Sequence, residues 1–149
     1  MTLDGADKDR GGGATTRGMT DLRPEHELLL CVARRSIDEA LIARLRALAQ
    51  SEVDWDYLIT LAFDQGLLPL LGTHVSAHCQ DLVPSNVLDR LKSELFSNRQ
   101  SNIYLLRELL RLLKLFTTEG IGVLSFKGPI LAQTVYGDVG LRQAGDIDL

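Results

Sequence analysis

The sequence predicts an α+β fold, an N-terminal helical bundle followed by a strand-helix-strand unit that opens an α/β domain. Three observations carry that reading. From about Glu25 to Glu119 apolar residues recur at helical spacing. After Gly120 the pattern changes to a short apolar run, Ile121–Phe126, bounded by glycine and short enough for a buried strand. Near the end an apolar residue stands between two acids, Asp146-Ile147-Asp148, at strand spacing.

The first 20 residues are rich in Gly, Asp, Thr and Arg and can bury little apolar surface, so they read as a disordered tail. Met19 begins more ordinary sequence and is a candidate start. The expected division is a tail over 1–20, a helical domain over 21–119 and the first part of a second domain over 120–149.

Within the helical part, Leu28, Leu29, Val32 and Ala33 share a face. Ser36-Ile37-Asp38-Glu39 matches a capping box ahead of a second helix carrying Leu41, Ile42, Leu45 and Leu48. A third helix spans about Asp54 to Gln65, with Gly66 as its stop. Pro69 suits the first turn of a fourth, and Pro84-Ser85 opens a long helical stretch to Gly120. The polar run Ser97–Asn102 interrupts its apolar stripe and marks a place for a break.

Composition narrows the function classes. The formal net charge of −4 disfavours general nucleic-acid binding. Two cysteines, Cys31 and Cys79, make no disulfide framework and fit a reducing compartment. No apolar run approaches the roughly 18–20 residues that span a bilayer, so a cytoplasmic protein without a membrane partner is expected.

The chemistry gathers at the end of the sequence. Lys127-Gly128-Pro129 makes a turn, a helix runs to about Tyr136, Gly137 stops it, and a loop with Gly140, Arg142 and Gly145 leads to Asp146. In a strand Asp146 and Asp148 point the same way, with backbones about 6–7 Å apart. Two hard oxygen ligands so placed suit Mg²⁺ or Mn²⁺. Gly128 lets backbone approach a ligand closely, or simply makes a tight turn. Lys127 offers a point charge to phosphate, or is a solvated turn residue. Arg142 presents a forked donor for phosphate oxygens, or orients one of the two acids.

The segment GIGVLSFKGPILAQTVYGDVGLRQAGDIDL resembles the opening of an uncharacterised branch of the nucleotidyltransferase superfamily, the fold shared with polymerase beta. That branch reads Leu-Lys-Gly, then an Ala- and Leu-rich helix ending in Tyr, then Arg and Asp-(Ile/Leu)-Asp-Leu. Matching positions are Lys127, Gly128, Leu131, Ala132, Tyr136, Gly137, Arg142, Gly145, Asp146, Asp148 and Leu149. Asp54-Trp55 and Leu68-Pro69-Leu70-Leu71 look like the helical region that precedes the catalytic domain in the same branch, so the likeness covers about 25–149.

The resemblance implies a nucleotidyltransferase-type α/β domain. It implies Asp146 and Asp148 as catalytic metal ligands, with a nucleoside triphosphate near Lys127, Gly128 and Arg142. The superfamily's third carboxylate lies on a later strand that these 149 residues do not contain, so this chain is expected to be catalytically incomplete. The acceptor is not readable from the sequence. The alternative is a non-catalytic truncated relative, a helical module that binds a partner protein, with strand addition at the exposed edge of the last strand.

Other motifs read more plainly. Asp54-Trp55-Asp56 is a second D-x-D, but at a helix start its side chains diverge by about 200°. His74 and His78 fall at i, i+4 beside Cys79 without a fourth ligand for zinc. Arg107, Arg111 and Lys114 form a basic stripe on the long helix, either a solvated face or a lining of the substrate cleft.

Overall fold

The computed structural model describes residues 22–125 and 128–147. Five helices make the body: α1 (Pro24–Val32), α2 (Glu39–Ala49), α3 (Trp55–Asp64), α4 (Leu68–His78) and α5 (Ser85–Thr118). A short α6 (Gly128–Leu131) widens into a π-helical turn over Ala132–Tyr136, and a 3₁₀ turn spans Val139–Leu141. No helix among the described residues is long and apolar enough to cross a membrane.

The core lies where α1, α2, α3 and α4 meet the first turns of α5. Leu28, Val32, Leu45, Leu58, Leu71, Val75 and Leu91 are wholly buried there. Burying a side chain of this size stabilises by about 1.5–3 kcal/mol, so this cluster dominates the energetics. Cys31 and Cys79 are free and buried in the same core, and burial pushes both thiols up in pKa, which leaves them inert packing residues.

Local signals set most helix ends. Asp54 caps α3, its carboxylate accepting from the Tyr57 amide at 3.0 Å. Gly66 adopts φ +67° and closes the helix in a Schellman motif, with Gly66 N–H bonded to Phe63 O and Leu67 N–H to Ala62 O. Gly120 closes α5 the same way, through Thr117 O and Phe116 O. The capping box lands two residues late. Asp38, not Ser36, caps α2 by accepting from Leu41 N at 2.9 Å, and Glu39 is the first helical residue.

Two expectations are corrected. The long helix has no break at Ser97–Asn102; α5 is continuous over 34 residues, about 51 Å at 1.5 Å per residue. The α+β fold class is also overturned, since the described chain is all-helical, with no strand and no sheet among the described residues. Residues 121–125 and 143–147 are irregular. An apolar run becomes a strand only with a hydrogen-bonded neighbour and a covering layer, and a two-stranded ladder alone is marginal. Ile121 remains 52% and Leu124 78% exposed, so these two apolar residues of the first run are uncovered.

Candidate functional site

The far half of α5 positions the site. Asn98 and Asn102 stand one helical turn apart, so both amides point to the same side. Asn98 Nδ2 donates to the carbonyl of Gly140 at 2.9 Å and to that of Arg142 at 3.3 Å. Asn102, wholly buried, donates to Val139 O and, at 2.7 Å, to Arg142 O. Together they hold the 139–142 turn onto the helix. Asp138 tightens that turn from within, accepting from Gly140 N at 2.8 Å, and faces Arg99 of α5 at 3.6 Å.

From this anchored turn the chain runs back to the start of α6. Arg142 Nη1 donates to Gly128 O across 3.4 Å. Gly128 sits at φ +60°, and a Cβ there would lie 3.0 Å from the backbone oxygen of Asp146. Both facts require glycine: the left-handed conformation penalises a Cβ, and the approach of Asp146 leaves no room for one. The glycine turn and the acidic segment are therefore neighbours without a ladder between them. Asp146 itself is exposed, its carboxylate open to solvent.

The predicted site residues fare differently. Gly128, Arg142 and Asp146 come together as described. Lys127 and Asp148 lie outside the described residues. Arg142 donates to the Gly128 carbonyl, a link between turn and loop. Asn98 and Asn102 were missed as site residues, although their i, i+4 interruption of an apolar stripe was the visible signal.

Among the described residues no three His, Cys, Asp or Glu side chains group closely enough to hold a metal ion. Asp146 supplies one hard, accessible oxygen donor. That suits Mg²⁺, which keeps several waters and binds through one or two carboxylates together with substrate phosphates.

The remaining motifs have structural partners or lie on the surface. Asp56 pairs with Arg90 at 2.6 Å on the surface, and Asp54 is a cap. His74 is buried with Nε2 bonded to Arg34 O at 2.9 Å, and its ring stacks on His78. Arg107, Arg111 and Lys114 are exposed, and Arg111 is held by Glu108 at 2.6 Å.

The model of an uncharacterised nucleotidyltransferase family matches residues 51–149, from the start of α3 through the acidic segment. This chain is a nucleotidyltransferase-family protein. The match takes in α3, α4 and α5 as well as the glycine turn, so the asparagine-bearing helix and the loop it holds fall within one family region. No curated protein and no solved structure matches the chain.

Proposed function

We propose that this chain carries the nucleotide-binding turn and the acidic segment of an enzyme that transfers a nucleoside monophosphate from a triphosphate to an acceptor hydroxyl. One observation supports the reading above the others. The left-handed glycine turn at Gly128 abuts the backbone of Asp146, and Arg142 donates to the Gly128 carbonyl. A phosphate held at the turn therefore lies beside a hard carboxylate, with a guanidinium close by.

In this reading Asp146 and Asp148 hold Mg²⁺ or Mn²⁺, which neutralises phosphate charge when bound. Lys127 and Arg142 orient the triphosphate, and Gly128 leaves the approach open. The acceptor oxygen forms its bond to the α-phosphorus as the bond to pyrophosphate breaks, and the hydroxyl proton passes to solvent or a nearby base. Every residue named here acts first on the bound triphosphate.

Binding is accordingly the test. Each of the four common nucleoside triphosphates is titrated into the full chain with and without Mg²⁺. At least one should bind in a Mg²⁺-dependent way, with Asp146→Asn weakening it by about tenfold or more and Arg142→Ala by a similar factor. Triphosphate affinity that ignores both Mg²⁺ and Asp146→Asn sinks the assignment.

A second reading, a helical module that binds a partner protein, is favoured by the exposed apolar side chains Leu110, Leu115, Ile121 and Leu124 beside the end of α5. Light scattering tests it, since a monodisperse monomer at high concentration counts against that reading.

A further inference from the structure

A cavity of about 220 Å³ lies between the end of α3, the start of α4, the middle of α5 and the loop residues Gln143 and Ala144. Leu68 is part of its apolar wall, and Phe63, 53% exposed, offers a flat ring. Its one charged group is an acid, and its other polar groups are hydroxyls and amides. Glu94 contributes a carboxylate. Asn98 has already committed its Nδ2 to the Gly140 and Arg142 carbonyls, which leaves its Oδ1. Gln143 also lines the cavity, and its Oε1 is buried without a partner among the described residues. Ser101 adds a hydroxyl of either sense.

Among the described residues the lining contains no Lys, Arg or His. A triphosphate tail placed here would meet a carboxylate with no cation to offset it. A ligand rich in hydroxyl or ammonium donors meets the opposite situation. The volume equals about seven waters at roughly 30 Å³ each, the size of one substituted ring. The loop that forms part of the wall leads directly to Asp146, whose Cα is at most about 7 Å from that of Ala144.

We propose that this cavity holds the acceptor of the transfer reaction, a single-ring polyhydroxylated molecule that is neutral or carries an ammonium group. The assignment rests on the nucleotidyltransferase reading above and adds to it the substrate that receives the nucleotide. Phe63 packs against the ring's apolar face, Glu94 pairs with the ammonium, and the ring hydroxyls meet Ser101 and the Asn98 amide oxygen.

The probes are glucosamine, glucose, glucose 6-phosphate and adenosine, titrated into the full chain and followed by ligand-observed NMR. Glucosamine should bind about fivefold more tightly than glucose, the worth of one partly exposed ion pair, and glucose 6-phosphate more weakly than either. Ser101→Trp, which fills the cavity, should abolish sugar binding. Glu94→Gln, a conservative surface change, should bring glucosamine down to the level of glucose. Circular dichroism melts confirm that both variants fold.

Absence of saturable sugar binding overturns the proposal, as does binding that survives Ser101→Trp. Adenosine bound in a Ser101-dependent way, with no sugar bound, overturns it in favour of a base site. Magnesium-dependent triphosphate binding on the same proteins separates the two readings. If Ser101→Trp loses glucosamine and keeps triphosphate, both stand. If the unaltered chain binds glucosamine and no triphosphate, the nucleotidyltransferase reading fails and the acceptor role falls with it, although the cavity site remains.

Discussion

Asn102 donates from Nδ2 to the carbonyl of Arg142 at 2.7 Å, 40 positions along the chain, and it does so from a wholly buried place on α5. The bond fixes the backbone from which the Arg142 side chain reaches Gly128 and from which the chain proceeds to Asp146. A helix outside the acidic segment thus determines where that segment lies. Burying an amide is costly unless it is met by partners; two backbone carbonyls meet its donors, while its Oδ1 is buried without a partner among the described residues.

Replacing Asn102 by Leu removes both bonds and leaves the Val139 carbonyl facing an apolar side chain, while Arg142 O keeps its longer bond from Asn98. The loss should be about 1–3 kcal/mol, read as a lower urea midpoint with an unchanged m-value. Mg²⁺-dependent triphosphate binding should weaken with it, because Arg142 and Asp146 lose their anchor. Asn98→Ala should cost less, since Asn98 is only half-buried and its carbonyl partners can turn to water. Equal effects from the two variants would argue against a buried anchor at Asn102.

The glycine at position 128 makes a sharper test of the turn. Gly128→Ala meets a left-handed backbone, costing about 1–2 kcal/mol, and sets its Cβ against the Asp146 carbonyl oxygen at 3.0 Å. The turn should open, lowering both thermal stability and triphosphate affinity. Gly145→Ala is the control: a Cβ there meets nothing within 4 Å, and stability should hold. A Gly128→Ala protein with unchanged melting would show that the turn and the acidic segment are not packed as described.

The helices were legible because their signals are local. Asp54 at a cap, Gly66 and Gly120 at C-termini and Pro69 in a first turn act within a few residues, whatever the rest of the chain does. The strand reading of Ile121–Phe126 and the Asp146 segment does not hold for the described residues, since a strand depends on neighbours that sequence spacing does not supply. The polar run Ser97–Asn102 misled for a related reason. A polar residue on an apolar stripe reads as a break when its partner is unknown, and the partners of Asn98 and Asn102 lie beyond residue 138. The Gly128 and Asp146 pairing was legible as chemistry, while its geometry was not.

Gly72 reports on the contact between α4 and α5. In an indifferent helix interior, Gly→Ala stabilises by about 0.5–1 kcal/mol. Here a Cβ at position 72 would sit 3.0 Å from both Cγ and Cδ1 of Leu95. Leu95 also lines the cavity, so any shift it makes reshapes that space. Gly72→Ala should therefore destabilise by about 1–3 kcal/mol despite its helix propensity. Added stability, measured by denaturant unfolding, would mean that Leu95 moves aside freely.

Glu25 should make the fold sensitive to acid. It is 2% exposed at the first turn of α1, accepting from Asp54 N at 2.8 Å and from Arg23 Nε at 3.1 Å. Burial pushes its carboxyl up, but the backbone amides of Asp54 and Glu25 and the charge and hydrogen bond of Arg23 outweigh that, holding it below the usual 4.5. A carboxyl depressed in the folded state contributes stability that is complete above its unfolded value. That contribution is lost as the pH falls through the folded value. Stability should decline from about pH 4.5 downward, as the native carboxylate takes up a proton it does not hold at neutrality. Glu25→Gln keeps an acceptor for Asp54 N but cannot titrate. It should be less stable near neutrality by about 1–3 kcal/mol, and the gap should close as the pH drops. Asp81 and Glu108 are also held low, each mainly by its hydrogen bond to an arginine, Arg46 and Arg111 respectively, and they titrate in both proteins. The difference between the two unfolding curves across pH therefore isolates Glu25, and a gap that stays constant into acid would rule out its carboxylate as the source.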